Sequence, residues 1–201
     1  MNKTSQKGFT RYELMITLTI VGIVMAFGVP NMIAYSQNSR MTGIANDFHG
    51  AFHFARSEAS RAKTFITVCA SDDSMESSPS CSGDWTDGYL VFLDLDGDVA
   101  TGVDETILRA VPAMPEGVSF NVVNAAKYFS YAGTGLGRGK VGDEEALSQV
   151  VMCDDRGNIR AAGGNSAARL FVATPMGRAT IQRDLGMIQD VIDDNDDIDC
   201  P

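Results

Sequence analysis

The sequence contains little histidine, tryptophan or proline, with two, one and six of these residues among 201. Basic residues are also outnumbered, 16 against 26 acidic ones, which gives a formal net charge of -10. Non-specific coating of nucleic acid depends on Lys and Arg neutralising phosphates, so the acidity excludes that role for the chain as a whole. The apolar fraction of 44% is typical of a globular protein and excludes a disordered chain.

Charged side chains are absent from residues 14–29, an apolar run near the N-terminus. A helix from Leu14 to Ala34 would be about 31 Å long, at about 1.5 Å per residue. That length is close to the thickness of the hydrocarbon core of a bilayer. Lys3 and Lys7 precede the run, which predicts that the N-terminus stays cytoplasmic while the bulk of the chain is exported.

A second apolar pattern follows the run and predicts that the same helix continues. Apolar residues recur there at three- and four-residue spacing, namely Met41, Ile44, Phe48, Phe52, Ala55 and Ala59. The pattern indicates one helix of about fifty residues that is apolar all round at first and amphipathic afterwards. A cleaved signal peptide ending near Ala34 and a simple uncleaved anchor are the alternatives. Glu13, at the start of the apolar run, counts against the signal peptide, because a carboxylate there is costly and usually functional.

The remainder of the chain has the composition of a β-sheet domain. Short runs rich in β-branched and aromatic residues are separated by Gly, Pro, Asn and Asp. These runs are residues 64–69, 88–93, 107–111, 118–122, 128–131, 150–153 and 170–173. They predict an antiparallel sheet packed on the amphipathic half of the helix, which is an α+β fold.

Four cysteines lie in the part predicted to be exported, where an oxidising compartment permits disulfides. Four cysteines allow three pairings. We favour the local one, which joins Cys69 to Cys81 and Cys153 to Cys200. The second of these bonds would attach the end of the chain to the sheet.

The segment Gly8-Phe9-Thr10-Arg11-Tyr12-Glu13-Leu14, followed by the apolar run, resembles the class III leader and N-terminus of type IV pilins and type II secretion pseudopilins. The resemblance implies that a prepilin peptidase cuts between Gly8 and Phe9 and N-methylates Phe9. It also implies that Glu13 pairs with the α-ammonium of a neighbouring subunit's Phe9 during assembly. The domains would then be a leader (1–8), a transmembrane and assembly helix (9–34), an amphipathic helix (35–63) and a periplasmic disulfide-bonded head (64–201).

Three segments of the head resemble the GspH/FimT branch of pilin-like proteins. They are Trp85–Asp94, Ile107–Arg109 and Leu170–Arg178. The resemblance implies a minor pilin that primes or joins pilus assembly, or a pseudopilin of a type II secretion system. The implied location is the bacterial inner membrane, crossed once, with a periplasmic head, and then the pilus or pseudopilus. The implied partners are other major and minor pilin subunits, the prepilin peptidase and the inner membrane.

The same resemblance raises the question of DNA binding. FimT members of the branch bind DNA through a C-terminal Gly-Arg-x-Arg motif, of which Gly177-Arg178-Ala179-Thr180 retains the first arginine. Arg178 and Arg183 are the candidate residues, within a segment, 127–183, that is locally basic. The alternative is that its basic residues are scattered and that Gly177-Arg178 is a structural turn.

Metal binding and catalysis have weaker support. Four acids, Asp94, Asp96, Asp98 and Glu105, stand at positions 1, 3, 5 and 12 of an EF-hand-like loop, the arrangement that places oxygen ligands around Ca²⁺. Val99 occupies the position where that loop needs Gly, so a solvated acidic hairpin is the favoured interpretation. The pair His49 and His53, four residues apart on the predicted helix, could bind a metal, but a solvated or packed helix face is favoured for it.

We expect the aspartate-rich tail, Asp190–Asp199, to be solvated and held by its disulfide. No nucleophile motif, phosphate-binding loop or metal box is present in the sequence, so we expect neither an enzyme nor a cofactor.

Overall fold

The computed structural model describes residues 8–102, 104–161, 163–195 and 197–200. It contains a long helix, eight strands and a short second helix. In chain order these are α1 (Arg11–Ala62), β1 (Phe65–Ala70), β2 (Tyr89–Asp94), β3 (Thr106–Val111), β4 (Val118–Val122), β5 (Tyr128–Tyr131), β6 (Gln149–Asp154), β7 (Arg169–Ala173), β8 (Ala179–Gln182) and α2 (Leu185–Asp193). The α+β prediction is confirmed, and the seven predicted strands agree with the observed ones to within one residue at each end.

The chain divides into two compact units, residues 1–39 and 40–201. In the first unit, α1 continues through Pro30 without interruption. The hydroxyls of Thr17 and Thr19 donate to the carbonyls of Leu14 and Met15 at 2.9 and 2.8 Å. The polar side chains inside the apolar run are therefore satisfied by the helix itself, as a nonpolar environment requires.

The second unit contains two four-stranded sheets. Their strand orders are β3-β2-β1-β5 and β4-β6-β7-β8, and all neighbouring strands are antiparallel. The predicted antiparallel pairing is confirmed, and the structure adds that the strands divide into two sheets. The connection between β3 and β4 contains Pro112 and Pro115, and proline cannot donate a hydrogen bond to a ladder. After this connection β4 pairs with β6, while β5 returns to the first sheet beside β1.

The second half of α1 packs its apolar face against both sheets. Its buried residues are Met41, Ala45, Phe48, Ala51, Phe52, Ala55 and Ala59. The Phe48 ring contacts Tyr89 of the first sheet, with centroids 5.2 Å apart, and Phe120 and Phe171 of the second, at 5.1 and 4.8 Å. The predicted amphipathic face is thus confirmed, with Ile44 at its partly buried margin.

The C-terminal end is more ordered than predicted. α2 occupies part of the tail expected to be solvated, and its first residues are capped by Asp184, whose side chain accepts from the Met187 N–H at 2.9 Å. Ile188 and Ile198 are buried against β6 and β7. The described aspartates of the tail are exposed and its end is held by the Cys153–Cys200 bond, as expected. Its apolar residues, Val191, Ile192 and Ile198, are instead partly or fully buried against the second sheet.

Candidate functional site

The N-terminal site is the start of α1. Phe9 is 77% exposed, and Gly8 has no atom near the place where a Cβ would stand. Thr10 directly precedes the helix, and its carbonyl accepts the first helical hydrogen bond, from the Leu14 N–H at 3.2 Å. Gly8 and Phe9 are thus exposed beside the first turn of α1.

Thr10 and Glu13 form a reciprocal pair of side-chain caps. The Glu13 N–H donates to Thr10 Oγ1 at 3.1 Å, and Glu13 Oε2 accepts from both the N–H and the hydroxyl of Thr10, each at 3.2 Å. This is the capping-box arrangement, in which a Thr and the Glu three residues later satisfy each other's backbone donors. The Thr-x-x-Glu spacing is the sequence signature of this box, and it was not among the motifs predicted from the sequence.

The capping box fixes where the Glu13 carboxylate lies. Its oxygen is held over the backbone of Thr10, one residue after Phe9. A carboxylate is favourable there because the helix N-terminus carries partial positive charge. The arrangement therefore holds one negative charge at a defined position beside the N-terminal end of the apolar helix.

Beyond Glu13, α1 presents large apolar side chains to its surroundings. Leu18, Val24 and Phe27 are 62%, 63% and 71% exposed. Within the described residues, α1 is the one helix long and apolar enough to cross a membrane. A continuous exposed apolar surface of this kind is a site of contact with lipid or protein.

The disulfides of the head join the pairs favoured from the sequence. Cys69 of β1 is bonded to Cys81, and Cys153 of β6 to Cys200. The second bond attaches the segment after α2 to the second sheet. It lies within the small apolar cluster formed by Val151, Leu170 and Ile188.

The acidic hairpin brings its four predicted carboxylates together. One oxygen each of Asp94, Asp96, Asp98 and Glu105 lies within 4.8 Å of the others. Their oxygens already accept backbone hydrogen bonds: Asp94 from Gly97 at 2.7 Å, and Glu105 from Leu95 and Gly102 at 3.0 and 2.8 Å. Burial, and then the neighbouring aspartates, raise the pKa of Glu105. The hydrogen bonds account for the hairpin as a self-capped turn.

Asp94 also belongs to a buried polar network. Its Oδ2 accepts from the Thr67 hydroxyl at 2.7 Å and lies 3.5 Å from a guanidinium nitrogen of Arg138. The same guanidinium donates to the Gly97 carbonyl at 2.9 Å and stacks over the Phe65 ring at 4.0 Å. Arg138 thereby links the acidic hairpin to the loop after β5.

The basic residues of segment 127–183 are mostly engaged inside the head. Four of them pair with carboxylates: Lys127 with Asp84, Arg138 with Asp94, Lys140 with Glu145, and Arg156 with Asp154. Arg169 is buried, and its guanidinium donates to the carbonyls of Ser166, Ala167 and Ala168 and to the Thr42 hydroxyl. Burial, with Arg183 and Arg156 nearby, lowers the pKa of Arg169 to about 10.

The two arginines proposed for DNA differ in their surroundings. Arg178 is exposed in the turn between β7 and β8, whereas Arg183 is half-buried with an Nε that has no hydrogen-bond partner. Gly177 has a φ of 74°, and a Cβ there would collide with the Gly135 carbonyl. Gly177 is therefore required by the turn itself, and the DNA-binding hypothesis depends on Arg178 and Arg183.

Comparisons with known proteins find a family model, curated relatives and solved structures that are similar to this chain. Residues 45–176 match the family model described as type II transport protein GspH. A type IV major fimbrial protein FimA from Dichelobacter nodosus is 36% identical over 169 residues, which are 83% of this chain and 76% of the relative. The crystal structure of the type IV minor pilin FimU from Pseudomonas aeruginosa aligns with 71% of this chain and 92% of its own, at 14% identity and a TM-score of 0.47.

Proposed function

Since the chain belongs to the GspH family of type IV pilin-like proteins, we propose that it is a minor type IV pilin that primes or joins pilus assembly. The family consists of structural subunits rather than enzymes. The observation that carries the proposal is the capping box at the start of α1, which holds the Glu13 carboxylate over the backbone of Thr10, the residue after Phe9, in the first turn of an exposed apolar helix.

The first step of the proposed function is maturation. A prepilin peptidase on the cytoplasmic face cleaves between Gly8 and Phe9, removes residues 1–8 and methylates the new amine of Phe9. The accessible Gly8 supports this step, because close approach of a peptidase to the backbone is easiest where no side chain stands. The mature chain then begins one residue before the Thr10 cap.

The second step is assembly from the inner membrane, where α1 is the anchor and the disulfide-bonded head lies in the periplasm. Each incoming subunit brings a Phe9 ammonium that needs a partner away from water. Glu13 of a neighbouring subunit supplies it, because an ion pair is much stronger in a low-dielectric environment than in water. A lone carboxylate in lipid is costly, so this pairing favours one axial position of the helix over others.

The experiment replaces Glu13 in the full-length chain and measures two steps separately. In Glu13→Leu and Glu13→Gln, we expect normal removal of the leader, seen by mass spectrometry of the membrane fraction, and loss of the subunit from sheared pili, seen by immunoblot. Glu76→Leu, which removes an exposed glutamate of the head, is the matched control and should assemble normally. Incorporation of Glu13→Leu at the wild-type level would refute the role of this carboxylate.

A second candidate function is that of a pseudopilin in a type II secretion system, and the description of the matching family favours it. Deletion of the gene for this chain distinguishes the minor-pilin function from the pseudopilin function. A minor pilin is needed for surface pili and is present in them in small amount, whereas a pseudopilin is needed for release of secreted enzymes. Pili composed mainly of this chain would instead indicate a major subunit, the role named for the D. nodosus relative.

A further inference from the structure

The two histidines of the chain come together on the head part of α1. His49 and His53 are four residues apart, and their Nε2 atoms are 3.1 Å from each other, with ring centroids 4.4 Å apart. Residues at this spacing lie on one face of a helix, one turn apart. The sequence contains no other histidine, and all four cysteines are in disulfides, so these rings are its strongest donors for a soft or borderline metal ion.

A third donor atom comes from the second sheet. The carbonyl oxygen of Ala179, the first residue of β8, lies 3.0 Å from His49 Nε2. A carbonyl oxygen is acceptor-only, so in the metal-free protein His49 Nε2 carries the proton that it shares with Ala179. Two imidazole nitrogens and one backbone oxygen, from two different elements, therefore surround one small region at the surface of the head.

The separation of the two nitrogens matches a shared metal ion. Metal–nitrogen bonds of imidazole are about 2.0–2.1 Å long. Two nitrogens that are 3.1 Å apart and each at that distance from one ion subtend an angle of about 98°. This angle lies between the value of a square-planar site, about 90°, and that of a tetrahedral one, about 109°. Both geometries are used by divalent late transition metals.

The exposure of the two rings also suits a metal. His53 is exposed and His49 half-buried, so an ion can approach from solvent.

We propose that His49 and His53 form a binding site for one divalent late transition-metal ion, with the Ala179 carbonyl as a neighbouring oxygen donor. On binding, the proton of His49 Nε2 moves to Nδ1 of the same ring, so that each Nε2 presents a lone pair. The expected order of affinity is Cu²⁺ above Ni²⁺ and Zn²⁺. The hard cation Ca²⁺ prefers oxygen ligands and should not compete. A bound ion would link α1 to the edge strand β8.

The test is calorimetric titration of the full-length chain in detergent micelles, purified with a tag that lacks histidine and treated with a chelator. With CuCl2, NiCl2 or ZnCl2 at pH 7.5 in a non-coordinating buffer, we expect one ion per chain. His49→Ala and His53→Ala should each weaken binding by at least about tenfold, and the double variant should abolish it. Thermal unfolding of the metal-free variants establishes that each of them is folded.

Two control variants locate the ion. Asn46→Ala removes an exposed polar side chain from the same helix, and Asp96→Asn alters the acidic hairpin; both should bind as the wild type does. The electron paramagnetic resonance spectrum of the Cu²⁺ form should show coupling to two imidazole nitrogens. Unchanged affinity in the double histidine variant, competition by Ca²⁺, or a Cu²⁺ spectrum without nitrogen coupling would each overturn the proposal.

Discussion

Phe48 is the residue whose truncation should most weaken the head. Its ring is fully buried and contacts five other aromatic rings, with centroids 4.8 to 5.5 Å away. These rings belong to Phe52, Trp85, Tyr89, Phe120 and Phe171. The side chain therefore joins α1 to both sheets at once, and Phe48→Ala removes a contact from each.

The magnitude follows from the size of the group and the stiffness of its surroundings. Phe→Ala substitutions in protein cores cost about 3–5 kcal/mol, and the cost rises when the site cannot collapse. Rings on three packed elements cannot move together to fill the space, and edge-to-face pairs add about 0.5–1.5 kcal/mol each, not additively. We expect a loss of about 4–5 kcal/mol in the free energy of unfolding, or a fall in Tm of about 8–20 °C for a unit of this size.

The assay is urea unfolding of the full-length chain in detergent, without reductant, followed by tryptophan fluorescence. The sequence contains one tryptophan, Trp85, and its ring centroid lies 5.5 Å from that of Phe48. Phe48→Leu should cost only about 1–2 kcal/mol because it retains most of the volume. Leu95→Ala, at an exposed position, should change the stability by less than about 0.5 kcal/mol. A loss below about 2 kcal/mol for Phe48→Ala would refute the reasoning.

Two further predictions concern charged groups of the head. Arg138→Met leaves the buried Asp94 carboxylate without its cation. We expect it to lower the free energy of unfolding in urea by about 2–3 kcal/mol, because the carboxylate keeps its hydrogen bonds. The control Lys140→Met, at an exposed ion pair, should lower it by less than about 1 kcal/mol, and equal losses in the two variants would contradict the importance of burial. Burial, and then His49, lower the pKa of His53 in the folded state, so the unfolded chain binds more protons than the folded one as the pH falls. The contribution of neutral His53 to stability is complete above pH 6.5 and is lost as the pH falls through the folded-state pKa. The Tm of the wild type should therefore fall more between pH 7.5 and 5 than that of His53→Gln, and parallel profiles would show that His53 does not contribute.

The elements of this protein could be predicted where their cause is local. The three- and four-residue spacing from Met41 to Ala59 identifies the buried face of α1, because a helix places those residues in one stripe. The short β-branched runs identify seven of the eight strands for a similar reason. β8 (Ala179–Gln182) was not predicted, because only two of its four residues, Thr180 and Ile181, are β-branched and they do not form part of a longer apolar run.

The arrangement of those elements needed the tertiary structure. Antiparallel strands can pair with many partners, and no strand pattern in the sequence indicates that the chain enters a second sheet after β3. The same limit applies to side chains: local charge counts suggested a basic segment, but Arg169 is buried and Arg138 neutralises a carboxylate 44 residues away in the chain, at Asp94.

The sequence by itself determined the long apolar helix, the Glu13 position, the β-rich head and the candidate carboxylates of the acidic hairpin, because each depends on residues close together in the chain. Only the tertiary structure decided that the head has two sheets, which arginines remain available to solvent, and that Ala179 lies beside His49. Those outcomes depend on contacts between residues up to 130 positions apart, and such contacts are selected by the packing of the whole core rather than by local preference.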